Sequence, residues 1–177
     1  DKLKKNNYLF IAFSGEELGL YGSKYFTDNP TIDLSKVNYM LNMDMVGRLN
    51  DSSKITVGGY GTSPYWGQLF ADIKDKNITV KFDSSGTGPS DHTSFYRKDI
   101  PVLFFFTGTH SDYHKPSDDA DKINFMGEYN VVKYIYKVVE ETNNQPKLAF
   151  TKTREQQTIR SNFTVSLGIM PDYTFSG

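Results

Sequence analysis

Residues 8–23 read YLFIAFSGEELGLYGS, running from Tyr8 to Ser23. The first part, 8–13, is a short apolar run of aromatic and β-forming residues, so it reads as a buried strand. It gives way to two adjacent acids, Glu16 and Glu17, and then to a small, glycine-dotted segment. In open α/β sheets ligands bind beyond the carboxyl ends of the strands. A pair of carboxylates at a strand end is therefore a candidate for chemistry as well as for a turn.

Working outward, residues 37–43 (VNYMLNM) form a second strand candidate that ends at Asp44. Shorter candidates lie at 55–57 and 79–82, and the most apolar run, VLFFF at 102–106, is bounded by Pro101 and Gly108. Between them lie helical patterns. In TSPYWGQLFADIKDK, Ser63 can cap, Pro64 suits the first helical position, and Trp66, Leu69, Phe70 and Ile73 share a face. In FMGEYNVVKYIYKVVEET, Tyr129, Val132, Ile135, Tyr136 and Val139 fall at helical spacing, and NNQP ends the pattern. Strands alternating with helices predict an α/β three-layer sandwich, a mixed, mostly parallel sheet covered on both faces.

Composition agrees with a folded domain. The chain has 177 residues, 37% hydrophobic and 15% aromatic, enough for one real core. A net charge of −1 with mixed signs gives no electrostatic footprint for nucleic acid or an anionic membrane. No apolar run reaches the length of a membrane span. The absence of cysteine removes disulfides, thiolate metal sites and cysteine nucleophiles.

Three features sit at strand ends: Glu16 and Glu17, Asp44, and the loop TGTHSDYHKPSDD with His110 and His114. Carboxylates and imidazoles converging from separate strands are the donor set of a catalytic zinc, with a position open for water. One glutamate can hold metal while its neighbour takes a proton. Each feature also has a plainer reading. Adjacent glutamates suit a solvated turn or the first turn of a helix. Asp44 can cap the turn that follows it, and either histidine can be an exposed loop residue. His92, in GPSDHTSF, is expected to open a short helix capped by Ser90 or Asp91, and Tyr113 can be a packed aromatic.

Taken together and in order, IAFSGEELGLYGS, NMDMVGR, GPSDHTSF, IPVLFFFTG and YHKPSDDADKI resemble the co-catalytic di-zinc aminopeptidase family, which includes bacterial leucyl aminopeptidases and glutamate carboxypeptidase. The resemblance covers roughly residues 6 to 141. It implies the phosphorylase/hydrolase-like zinc exopeptidase fold, a peptide substrate and two zinc ions in the intact parent. It gives Glu16 the role of general base, Glu17 and His114 that of ligands to one zinc, and Asp44 that of ligand to the other. Tyr113 resembles the tyrosine that hydrogen-bonds the substrate carbonyl as it becomes an oxyanion.

The family also has an HxD-type histidine and a metal-bridging aspartate upstream of the EE strand, and neither is present before Tyr8. The expectation is a catalytic domain incomplete at its N-terminus, spanning 1–145. Residues 146–177 would hold a linker and, from about Phe163, the start of a PDZ-like domain with SLGI as its binding loop. Such a piece should be a poor enzyme and bind at most one zinc. Secretion or a periplasmic location is implied by the same resemblance. Two rival readings stand beside this one: a single-zinc, glutaminyl cyclase-like enzyme, and a non-catalytic peptidase-like binding domain.

Overall fold

The apolar run Val102–Phe106 forms an inner strand of a four-stranded sheet, in a computed structural model that describes residues 5–154. The strands are β1 (Met40–Asp44), β2 (Lys54–Gly58), β3 (Thr79–Phe82) and β4 (Val102–Phe106), in the spatial order β1-β4-β2-β3. β1 runs parallel to β4 and β3 parallel to β2, while β2 and β4 are antiparallel. The expected mixed, mostly parallel sheet is therefore present.

Alternation along β4 builds the two cores. Leu103 and Phe105 point to one face, where they pack with Trp66, Leu69 and Phe70 of α2 (Tyr65–Asp72) and with Val131, Tyr134 and Val138 of α4 (Phe125–Thr142). Val102 packs on the other face with Phe95 and Tyr96 of α3 (His92–Tyr96) and with Phe26 of α1 (Tyr21–Asp28). Phe104 joins that face by stacking on His92, with ring centroids 4.5 Å apart. Period-two alternation with helices on both sides makes the three layers. Each fully buried valine or leucine here contributes about 1.5–3 kcal/mol.

α2 matches expectation: Trp66, Leu69, Phe70 and Ile73 are all buried, and Ser63 Oγ accepts from Tyr65 N at 3.3 Å. Thr62 secures this layer. Its hydroxyl contacts the carbonyl oxygens of Gly59 and Val102 and accepts from Val102 N and Trp66 Nε1, at 2.7–3.2 Å. Gly59 is required beside it: its φ is +78°, and a Cβ would lie 2.3 Å from the Val102 carbonyl oxygen.

Two expectations are corrected. α4 buries Val131, Tyr134, Ile135, Val138 and Thr142, whereas Tyr129, Val132 and Tyr136 are exposed. The helix is apolar on two faces. Docking against the sheet, with Lys137 paired to Asp75 at 2.6 Å, selects the face one step away from the expected one. Residues 8–13 are not a strand; Tyr8, Leu9, Phe10 and Ile11 are exposed. Among the described residues none of their backbone groups pairs with β1, and a cavity of about 360 Å³ is lined by Ile11–Phe13 on one side and β1 on the other. A strand needs a ladder partner as well as propensity. The segment is held instead at its start, where Asn6 Nδ2 and Tyr8 Oη donate to Asn143 Oδ1 at the end of α4.

Beyond α4, Leu148 is buried in the first core, Phe150 packs on Tyr96, and Thr151 N donates to Thr62 O. Residues 148–153, expected within a linker, thus lie against this domain. The PDZ-like stretch, from about Phe163, lies outside the described residues.

Candidate active site

The parallel pairing of β1 and β4 brings Asp44 opposite Phe106, so both strands end at the same edge of the sheet. Asp44 is the last residue of β1 and half-buried. The chain then turns through Met45, with φ +55°, into the 3₁₀ turn Val46–Arg48. That turn has no side-chain cap, so Asp44 is not its cap; Asp44 Oδ2 instead accepts from Ser90 Oγ at 2.9 Å. Asn42 Nδ2 in turn donates to Ser90 Oγ at 2.7 Å. Either Ser90 or Asp91 is expected to cap α3. The Asp91 position does so without a side-chain hydrogen bond, which leaves the Ser90 hydroxyl to orient Asp44.

The glutamate pair sits on a turn that the glycines make possible. Gly15 and Gly19 have φ of +65° and +115°, conformations that cost a glycine little. The carbonyls of Ser14, Gly15 and Glu16 accept from Gly22, Tyr21 and Leu20 N, satisfying the open N–H groups at the start of α1. Glu16 is thereby turned into the cavity and half-buried, while Glu17 is exposed. The cavity is lined by both glutamates, Asp44, Ser90 and Asp91.

The loop after β4 completes the cluster. His114 Nε2 donates to Glu17 Oε1 at 3.0 Å, across 97 residues of sequence. Tyr113 stacks on the His114 ring with centroids 3.9 Å apart, and its phenol pKa is raised by burial and by Glu17, Asp44 and Glu16. His110 is elsewhere: its Nε2 lies 3.6 Å from Asp118, and the Nδ1 atom is buried with no hydrogen-bond partner among the described residues.

Negative charge is concentrated in this cavity. Burial, then the charges of Asp44, Glu17 and Asp91, push the Glu16 carboxyl up to about 7; His114 opposes them. Asp91 is itself raised, by burial first, and its Oδ1 is buried with no hydrogen-bond partner among the described residues. Four carboxylates around one cavity repel one another unless a proton or a cation joins them.

The residues fit zinc in donor type. Two ligands about 2.1 Å from a tetrahedral zinc lie about 3.4 Å apart, close to the 3.0 Å between Glu17 and His114. Among the described residues no group of three His, Asp or Glu side chains converges on one point. Glu17 and His114 are thus an adjacent carboxylate–imidazole pair, and Asp44 lines the same cavity as Glu17. Sequence reasoning missed Ser90 and Asp91 as members of this cluster and Arg48 as a neighbour of the histidine loop. Their only sequence signal is adjacency to α3 and to Asp44.

Over 115 residues the chain is 34% identical to leupeptin-inactivating enzyme 1 of Streptomyces exfoliatus, covering 64% of this chain and 25% of that protein. It is 31% identical to leucine aminopeptidase 2 of Trichophyton equinum, covering 59% and 23%. Among solved structures, the aminopeptidase of Aneurinibacillus sp. strain AM-1 matches with a TM-score of 0.59 at 25% identity, over 79% of this chain and 33% of that one. The LapA aminopeptidase of Legionella pneumophila matches at 0.60 and 27%, over 77% and 39%. A zinc aminopeptidase of Bacillus subtilis shares the fold at 24% identity, with a TM-score of 0.61. The chain spans about a quarter of the length of these curated relatives. Residues 1–139 match the family model for peptidase family M28, and the chain belongs to that family.

Proposed function

We propose that this chain carries the second half of the catalytic site of a zinc-dependent aminopeptidase that hydrolyses the amino-terminal bond of peptides. The observation that carries the reading is the meeting of Glu17 and His114 beside Glu16, whose carboxyl sits near 7. The relatives named as aminopeptidases support the substrate class. An exported location belongs to the same reading and rests on the family resemblance.

Each residue has a distinct task. Glu17 and His114 would hold one zinc, and Asp44, oriented by Ser90, would be a ligand to a second. Zinc, when bound, supplies a Lewis acid and lowers the pKa of a bound water to about 7. Glu16 takes a proton from the attacking water and passes it to the departing amine nitrogen. A carboxylate lining the cavity beside that water can do both. The Tyr113 hydroxyl donates to the substrate carbonyl oxygen as it gains charge. This division is motivated by geometry: of two adjacent acids, only Glu17 contacts the histidine.

The test is made in the full-length protein. Glu16→Gln should keep its zinc and lose activity by about 10²- to 10⁴-fold, while Glu17→Gln should lose zinc as well. Equal zinc loss in both variants, by elemental analysis, sinks the assignment. The 177-residue chain by itself should hold at most one zinc, through Glu17 and His114, and cleave aminoacyl p-nitroanilides no faster than its metal-free form. Robust zinc-dependent turnover by that chain would mean that another local acid or a second copy completes the site.

A further inference from the structure

The loop that bears Tyr113 and His114 has no regular structure between Phe106 and the 3₁₀ turn Ala120–Lys122. Gly108 and His114 both take positive φ, +97° and +55°, so its path needs fixing from outside. One guanidinium supplies most of that fixing. Arg48 Nη2 donates to Asp112 Oδ2 at 2.8 Å, and its Nη1 donates to Asp118 Oδ1. Asp112 Oδ1 also accepts from Ser117 Oγ at 2.8 Å and from Lys122 Nζ at 2.7 Å. At the base of the loop, Thr107 Oγ1 donates to Met45 O.

These bonds differ from ordinary surface ion pairs. The side chains of Arg48 and Asp112 are only 17% and 15% exposed, so water and salt screen them less. The guanidinium is a rigid fork that can grip two carboxylates at once, which a lysine ammonium cannot do with the same geometry. Sequence position gives the pairing its reach. Arg48 lies four residues after Asp44, and Asp112 immediately precedes Tyr113 and His114. The same side chain therefore ties the end of β1 to the loop after β4, the two places from which the cluster is assembled.

We propose that Arg48 is a positioning residue of the active site, a clasp that bridges Asp112 and Asp118 and so presents Tyr113 and His114 opposite Glu17 and Asp44. It touches neither the substrate nor the reacting atoms. The proposal rests on the reading of His114 as a zinc ligand given above. It adds that the ligand's place is set from the Asp44 side of the site, so that both halves of the cluster move together.

The test compares Arg48→Gln, Arg48→Lys and Asp112→Asn with wild type in the full-length protein. Amide hydrogen exchange over 107–118 is read in the metal-free state, zinc affinity by competition with a chromogenic chelator, and kcat and KM with leucine p-nitroanilide. Arg48→Gln should speed exchange in the loop and weaken zinc about 10- to 100-fold, as loss of a partner behind a metal ligand does. It should lower kcat more than it raises KM. Arg48→Lys should recover part of each loss. Combining Arg48→Gln with Asp112→Asn should cost less than the sum of the two single changes, because they share the Arg48–Asp112 contact. A lower Tm in Arg48→Gln with unchanged loop exchange and unchanged zinc affinity makes Arg48 a purely structural residue and overturns the proposal. If wild type binds no zinc, the functional reading fails by itself. The metal-free exchange then decides the clasp alone: faster exchange in Arg48→Gln supports it, and unchanged exchange overturns it.

Discussion

His92 should give the protein a measurable acid sensitivity. Its side chain is 1% exposed, its ring stacks on Phe104 with 9° between the planes, and its Nδ1 is buried with no hydrogen-bond partner among the described residues. Burial disfavours the charged imidazolium and lowers its pKa from 6.5 to about 3. Because the folded value lies below the unfolded one, the unfolded chain takes up the proton first. The stability tied to neutral His92 is therefore full above about pH 6.5 and is lost as pH falls towards 3. Integrating between pH 7 and pH 5 gives a loss of about 2 kcal/mol, at up to about 1.4 kcal/mol per pH unit. The perturbation is His92→Phe, which keeps a ring against Phe104 and removes the titrating nitrogen. Asp91, whose carboxyl is raised by burial, titrates in both proteins and drops out of the difference. Denaturant unfolding of both metal-free proteins at the two pH values provides the assay. Wild type should lose about 2 kcal/mol more than the variant on acidification. Equal pH slopes in the two proteins would refute the claim that His92 is held neutral by burial.

The remaining predictions concern the site and the core. His114→Ala should lower zinc content, whereas His110→Ala should leave it unchanged, because only His114 contacts Glu17; elemental analysis of the two variants decides. Ser90→Ala removes the hydroxyl that holds Asp44 Oδ2, and zinc affinity should fall about 10- to 100-fold in chelator competition. Thr62→Val keeps the shape of a fully buried side chain but strands Val102 N and Trp66 Nε1, at about 1–3 kcal/mol for each donor; an unchanged denaturant midpoint would contradict this.

The sequence by itself determined a good part of this protein. The runs at 37–44, 55–57, 79–82 and 102–106 became β1 to β4, because β-branched and aromatic residues bounded by turn signals leave few alternatives. The α2 face was legible because Trp66, Leu69, Phe70 and Ile73 share one stripe, with only one apolar side to choose. The ordered motifs named the family and drew attention to Glu16, Glu17, Asp44, Tyr113 and His114. Tertiary structure decided what periodicity could not. α4 is apolar on two faces, and only docking against the sheet shows that Val131, Tyr134 and Val138 are the buried set. Residues 8–13 have strand propensity, yet a strand is a pairing between segments, and no described segment pairs with them. The ties of Ser90 to Asp44 and of Arg48 to Asp112 cross 46 and 64 residues. Short polar side chains carry no periodic signal, so their partners become visible only when the sheet brings the ends of β1 and β4 to one edge.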